Sequence, residues 1–81
     1  MSATTFDLLR TIVAATVARP ADALSETTPV AELRLTSLDV VEIAADVEDA
    51  FGVSVPEDAL RAAVTLGDIV KVIDKVREGS A

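Results

Sequence analysis

Apolar residues recur at the spacing of an amphipathic α-helix in separate parts of this chain of 81 residues. Phe6, Leu9, Val13 and Val17 follow an i, i+3, i+7, i+11 pattern, which places them on one face of a helix. The alternation of apolar and polar residues that marks β-strands is almost absent. The sequence therefore predicts an all-α fold, a small four-helix bundle with three main helices and a short third helix.

The expected helix boundaries follow from proline and glycine residues. Proline disfavours helical geometry in the residue before it, so the first helix is expected to end ahead of Arg19-Pro20. Gly52 is a favourable stop for the second helix. Pro56 is suited to the first turn of the third. The predicted helices span residues 5–18, 37–51, 56–63 and 66–77.

The first connection, residues 20–36, is longer than most loops and makes a long first loop part of the predicted fold. Four apolar residues along it are expected to tie it to the core: Leu24, Val30, Leu33 and Leu35. Thr28-Pro29 favours one short helical turn within it. We expect one domain over residues 1–81, with a core of about 4–77 and a frayed tail over 78–81.

Three predicted helix starts share a T-x-x-D motif. The motif occurs at Thr4 with Asp7, Thr36 with Asp39, and Thr65 with Asp68. In such a capping box the hydroxyl and the carboxylate each accept a hydrogen bond from a backbone amide that the helix leaves unpaired, and each box contributes about 1 kcal/mol. The middle box makes Thr36 the cap, so Ser37 becomes the first helical residue and points outward.

Composition excludes several kinds of site. The chain has no cysteine and no histidine, which rules out disulfides, thiolate metal sites and Ser-His or Cys-His catalysis within it. Carboxylates are plentiful, but no EF-hand pattern is present. We therefore expect no catalytic residue, no metal site and no enzymatic activity.

Charge indicates the kind of partner. Fourteen acids against seven bases give a formal net charge of −7, and Arg34 is the only base between Asp22 and Asp58. This balance disfavours nucleic acid and anionic membranes and favours partners that present Arg and Lys.

No apolar run approaches the roughly 18 residues of a membrane span. We expect a cytoplasmic monomer.

The second predicted helix has three faces. Its core face holds Val40, Ile43, Ala44, Val47 and Phe51. An acidic stripe holds Asp39, Glu42, Asp46 and Asp49. A second apolar strip, which begins beside Ser37, holds Leu38, Val41 and Ala45. The strip is either the widened edge of the core, or scattered surface residues, or a docking surface that points the same way as the serine.

Three segments of the sequence resemble the acyl carrier proteins. They are Leu-Arg-Leu-Thr-Ser-Leu-Asp at residues 33–39, Glu-Asp-Ala-Phe-Gly at 48–52 and Val-Ser-Val-Pro-Glu-Asp at 53–58. The resemblance covers nearly the whole chain and implies an acyl-carrier-like bundle with a long first loop. It also implies that Ser37 is the attachment point of 4′-phosphopantetheine from coenzyme A. Two positions depart from the family pattern: Thr36 replaces the usual aspartate, and Arg34 stands where glycine is common.

The resemblance further implies a surface that meets partner enzymes. The matching positions are Leu38, Asp39, Val41, Glu42, Ala45, Glu48 and Asp49, and Asp46 joins them by helical geometry alone. The implied partners are a phosphopantetheinyl transferase and an acyltransferase, ketosynthase or other pathway enzymes with basic docking patches. Thr36 removes one charge beside the serine, which favours a specialised polyketide or mixed peptide pathway over primary fatty acid synthesis.

The predicted function is that of a discrete acyl carrier protein holding intermediates as thioesters, in a polyketide or other specialised-metabolite pathway. Two alternatives remain open. One is a peptidyl or aminoacyl carrier of a non-ribosomal peptide pathway. The other is an unmodified acidic helical binding protein, such as an inhibitor or DNA mimic, in which Ser37 serves only the helix start.

The resemblance further implies that an acyl cargo can lie in a cleft of the bundle between the second and third helices, where this chain has small residues. The residues concerned are Ala44, Ala45, Ala59, Ala62 and Ala63. Their size is compatible with a cleft that opens for cargo. Alanine is also the best helix former, and we favour that simpler explanation.

Overall fold

The computed structural model describes residues 2–79, and the side chains of residues 5–79. Four α-helices follow one another along the chain. They are α1 Ser2–Val17, α2 Ser37–Phe51, α3 Glu57–Ala62 and α4 Leu66–Gly79. Two 3-10 turns, Ala21–Ala23 and Val30–Leu33, lie in the first connection. The predicted all-α four-helix fold, with its short third helix and long first loop, is confirmed.

The core lies between α1, α2 and α4, and α3 packs against α2 and α4. On α1 the predicted face is correct, since Phe6, Leu9 and Val13 are buried and Val17 packs against them. On α2 the same holds for four residues of the predicted core face: Val40, Ile43, Ala44 and Val47. None of the described helices is long and apolar enough to cross a membrane.

The start of α1 differs from the prediction. The helix already includes Ser2, so Thr4 lies within it and lacks the extended backbone that a capping residue needs. The Thr4 side chain lies outside the described residues. The Asp7 carboxylate instead pairs with Arg10 at 3.1 Å. The first of the three predicted capping boxes is therefore wrong, because this helix begins earlier than position 5.

The end of α1 is set by a left-handed residue as well as by the following proline. Ala18 has φ 56°, and the Arg19 amide donates to the Ala14 carbonyl at 3.1 Å. This bond is that of a Schellman motif, a common way to end a helix. The last helical residue is Val17, one position before the predicted end.

The first connection is tied to the loop before α4 by backbone hydrogen bonds. The amide of Val30 donates to Val64 at 2.8 Å, and Leu66 donates to Thr28 at 3.1 Å. Gly67 donates to Glu26 at 2.8 Å. We call this pairing of residues 26–30 with 64–67 the inter-loop bridge. The prediction that apolar residues anchor the first connection to the core is also confirmed. All four of these residues belong to the core or pack against it: Leu24, Val30, Leu33 and Leu35.

The α3 segment and the α2 end are close to the prediction. Gly52, with φ 68°, ends α2 in the left-handed region, and its amide donates to Glu48 at 2.8 Å. Val53 and Val55 are buried. Pro56 precedes α3 as its capping residue and does not occupy the first turn, so α3 spans fewer residues than the predicted 56–63.

The bundle end away from Ser37 is held by a polar network across three helices. The buried Thr5 hydroxyl donates to Asp74 at 3.0 Å and accepts from Arg77 at 3.3 Å. The Arg77 guanidinium also lies 5.4 Å from the centre of the Phe51 ring. Arg77 is thereby anchored, and α4 continues through Gly79, so the predicted frayed tail over 78–81 does not begin at position 78. The last two positions of that tail, 80 and 81, lie outside the described residues.

Candidate functional site

The start of α2 is a complete capping box. Thr36 has an extended backbone, with φ −83° and ψ 169°. Its hydroxyl accepts from the Asp39 amide at 3.1 Å, and its own amide donates to the Asp39 carboxylate at 3.0 Å. Ser37 is consequently the first residue of the helix, as the motif predicted.

The Ser37 side chain is exposed, and its hydroxyl has no hydrogen-bond partner among the described residues. The amides of Ser37 and Leu38 belong to the first turn, where a helix offers no internal acceptor. Free amides and the positive end of the helix dipole favour an anion at this place. An enzyme can therefore reach the hydroxyl, and a phosphate attached there lies in a favourable field.

The surroundings of Ser37 do not make it a catalytic nucleophile. The chain has no histidine, and the nearby Asp39 carboxylate is engaged with the Thr36 amide. Among residues 2–79 no three acidic side chains gather in a way that could hold a metal ion. The base and the metal for a phosphoryl transfer would come from another protein.

The second apolar strip of α2 faces solvent. Leu38 is 67% exposed and Val41 is 43% exposed, and Ala45 is exposed beside them. These exposures rule out the interpretation of the strip as an edge of the core. Glu42, Asp46 and Asp49 of the acidic stripe are also exposed. The face next to Ser37 therefore combines apolar and acidic side chains that are open to contact.

Two of the predicted contact residues also hold the fold together. Asp39 is half-buried and caps α2. Glu48 is half-buried, and its carboxylate accepts from the Val55 amide at 3.3 Å, which ties α2 to the segment before α3. The sequence pattern did not indicate the role of Glu48, because the contact joins residues seven positions apart across a turn.

The five alanines do not line one cleft between α2 and α3. Ala44 is buried in the core, and Ala45 lines a groove between α1 and α2. The other three line a groove toward α4: Ala59, Ala62 and Ala63. The interior holds a cavity of about 10 Å³, which is room for about one water molecule and not for an acyl chain.

Comparison with known protein families identifies the family to which this chain belongs. A family model described as a phosphopantetheine attachment site matches residues 7–73. The chain belongs to the acyl carrier protein family. Its prosthetic group is 4′-phosphopantetheine, attached covalently, and this carrier family agrees with the prediction that the chain is not an enzyme.

Individual relatives support the same family. The chain is 39% identical over 59 residues to the meromycolate extension acyl carrier proteins of Mycolicibacterium aurum, Mycolicibacterium smegmatis and Mycobacterium leprae. The match covers 73% of this chain in each case. It spans 61%, 60% and 51% of the length of those three relatives.

The residues present fit the prosthetic group. An exposed hydroxyl without a partner stands at the first position of α2, and two amides of the first turn remain available to a phosphodiester. No other described element combines these features with the family motif.

Proposed function

We propose that this acyl carrier protein bears its arm on Ser37 and holds biosynthetic intermediates there as thioesters, which it passes between enzymes. The observation that supports this proposal above others is the exposed, unpartnered hydroxyl at the capped start of α2. The thiol comes from the arm, because the chain has no cysteine. The absence of histidine and cysteine also leaves no side chain of those types to attack the thioester.

In the loading step the Ser37 hydroxyl oxygen forms a bond to the phosphorus that carries the pantetheine of coenzyme A. The bond between that phosphorus and the nucleotide phosphate breaks, and the nucleotide leaves. The hydroxyl proton passes to a base on the transferase. The free amides at the start of α2 then face the new phosphodiester.

We propose that partner enzymes bind the α2 face. The candidate contacts are Leu38, Asp39, Val41, Glu42, Ala45, Asp46, Glu48 and Asp49. Exposed acids suit brief visits, because they speed the encounter with basic enzymes and add little lasting affinity. The proposed partners are a phosphopantetheinyl transferase and an acyltransferase, ketosynthase or other enzyme with a basic patch, met by a cytoplasmic monomer of one domain.

For the cargo we propose acyl groups of a polyketide or other specialised-metabolite pathway. Thr36, in place of the usual aspartate, is the feature that favours a specialised pathway. The relatives carry a name that refers to meromycolate extension, which favours acyl over aminoacyl cargo. A peptidyl or aminoacyl carrier is the second candidate.

Loading with coenzyme A and a broad-specificity transferase tests the proposal. Intact mass is expected to rise by one phosphopantetheinyl group. The Ser37→Ala variant is expected to show no rise. The matched control Ser54→Ala, which changes another exposed serine, is expected to load normally. An unchanged mass in the native chain would instead favour the unmodified binding protein, and an adduct on Ser37→Ala would move the site elsewhere.

A further inference from the structure

Arg34 is the only base in the acidic part of the chain that contains Ser37. Every other charged residue between Asp22 and Asp58 is acidic, and Arg34 stands three positions before Ser37. A phosphodiester on Ser37 would add a further negative charge to a chain whose net charge is already −7. Like charges that are crowded together destabilise a folded protein, so a counter-charge at this helix start would stabilise the loaded form.

The guanidinium of Arg34 is not used within the protein. The Arg34 side chain is exposed, and it makes no hydrogen bond or ion pair with any residue that the structure describes. Two other arginines do pair with acids on their own helices. Arg10 pairs with Asp7, and Arg61 pairs with Glu57. The charge of Arg34 is therefore available to a group that the unloaded protein lacks.

The backbone of Arg34 favours a smaller residue. It is left-handed, with φ 52° and ψ 48°, and its amide donates to the Ala31 carbonyl at 3.3 Å. Glycine adopts this conformation without the steric cost that a side chain brings. A long cationic side chain therefore occupies a position where the local backbone gives it no advantage. Such an exception indicates a role other than the stability of the unloaded chain.

Arg34 lies close enough to Ser37 to contact a group attached there. Three peptide units separate the two residues, so their Cα atoms are at most about 11 Å apart. Leu33 is buried and Leu35 packs against the core, whereas Arg34 is exposed between them. The Arg34 side chain therefore emerges at the surface directly ahead of the helix start. An arginine side chain and a phosphate on serine are together long enough to meet across this distance.

We propose that Arg34 binds the phosphate of the prosthetic arm on Ser37 and holds the attached end of the arm at the start of α2. The proposal rests on the proposed loading of Ser37. The free amides of the first helical turn favour the phosphate oxygens but carry only partial charges, and the guanidinium supplies a full one. Its planar fork also matches two phosphate oxygens. Arg34 thereby offsets the negative charge that loading adds.

The position of Arg34 also leaves the proposed docking face uncovered. Arg34 borders one surface depression together with Val40. At about 100° per residue, Val40 lies to one side of Ser37 around α2, and the apolar strip of Leu38 and Val41 lies to the other. A phosphate that is drawn toward Arg34 is therefore drawn away from the strip. The attached end of the arm then does not cover the residues that partner enzymes are proposed to bind.

Loading with coenzyme A tests this contact through thermal stability. The native chain and its variants are melted before and after loading, and intact mass confirms each product. Loading is expected to raise the melting temperature of the native chain by about 3 °C. In Arg34→Gln the rise is expected to vanish or reverse, because the added charge then lacks its partner. The matched control Lys71→Gln, which removes an exposed base of α4, is expected to keep the native rise. Arg34→Lys, which keeps the charge without the fork, is expected to keep about half of it.

A second measurement detects the contact in the native chain. The side-chain Nε–H signal of Arg34 in a nitrogen-15 NMR spectrum is expected to shift on loading. Sodium chloride at about 1 M is expected to reduce that shift, because salt screens an exposed ion pair. The phosphorus-31 signal of the arm is expected to differ between the native chain and Arg34→Gln, and to be the same in the native chain and Lys71→Gln.

The outcomes separate this inference from the proposed function. A native chain that does not load removes both. A chain that loads on Ser37 and gains the same rise in melting temperature with and without Arg34 overturns only the role of Arg34, since the helix amides alone would then hold the phosphate. Equal destabilisation of the unloaded and loaded forms by Arg34→Gln also overturns it, because that result assigns the arginine to the fold. If Arg34→Gln cannot be loaded, the Arg34 signal of the native chain decides alone, and an unmoved signal overturns the contact.

Discussion

The starts of α2 and α4 use the same T-x-x-D motif but are held in different ways. At α2 each member of the box makes one hydrogen bond, between Thr36 and Asp39. At α4 the Asp68 carboxylate accepts two amides, from Val64 at 3.0 Å and Thr65 at 3.1 Å. The inter-loop bridge then joins the α4 start to the first connection.

This difference matches the different roles of the two helix starts in the structure. The hydrogen bonds at the α2 start lie within residues 36–40, and the side of the helix that bears Ser37 is open to a visiting enzyme. The α4 start is built into the protein and holds residues 26–30, from which the chain runs on to α2. The same motif therefore leaves Ser37 accessible at the start of α2 and holds the first connection in place at the start of α4.

The inter-loop bridge gives the largest expected effect. A Cβ at Gly67 would lie 3.1 Å from the Glu26 carbonyl oxygen, so Gly67→Val forces the two loops apart. We expect a loss of about 2 kcal/mol in the free energy of unfolding, measured by urea denaturation. The control Gly79→Val meets nothing within 4 Å and is expected to change stability far less. Equal losses would contradict the assignment of the effect to the contact between Gly67 and Glu26.

Removal of the capping hydroxyl should lower the free energy of unfolding more at α2 than at α4, as measured by the same urea denaturation. Thr36→Ala is expected to lower the free energy of unfolding by about 1 kcal/mol, because it removes the hydroxyl that accepts from the Asp39 amide. Thr65→Ala is expected to cost about 0.5 kcal/mol, since its hydroxyl accepts at a longer 3.3 Å and the bridge already orients the backbone. A larger loss at Thr65 than at Thr36 would reverse the comparison.

Relief of the left-handed backbone strain ahead of α2 is expected to change stability by a smaller amount. Arg34→Gly removes a side chain from a left-handed backbone and is expected to raise the free energy of unfolding by about 0.5 kcal/mol. Ala18→Gly is the matched variant, because Ala18 has nearly the same φ at the end of α1. Thermal and urea unfolding measure both. A gain at Ala18 with a loss at Arg34 would show that the arginine side chain stabilises the free protein.

The smallest expected effect is on the stability of the protein at acidic pH. The amides of Thr65 and Val64 lower the pKa of the Asp68 carboxyl below its usual value. A lowered pKa in the folded state stabilises the protein above the unfolded value of about 3.9, and this contribution is lost as pH falls through the folded value. Asp68→Asn is therefore expected to flatten the pH dependence of the melting temperature below about pH 4. An unchanged slope would contradict the assignment to Asp68.

Local signals were enough to predict most of the helical framework. The core faces of α1 and α2 follow from apolar spacing, and Thr36 and Gly52 mark the ends of α2 correctly. These features depend on contacts within a few residues, which a sequence displays directly. The Thr4–Asp7 box fails because the same four letters also occur inside a helix.

Patterns within single segments were enough to predict the four helices, the acidic α2 face and the serine at its start, because periodicity and capping are local. The inter-loop bridge and the contact of Glu48 with Val55 follow instead from the packing of the helices. Each of these joins segments that are distant in the chain or separated by a turn. Their approach depends on how the helices pack, and spacing along one segment does not encode that.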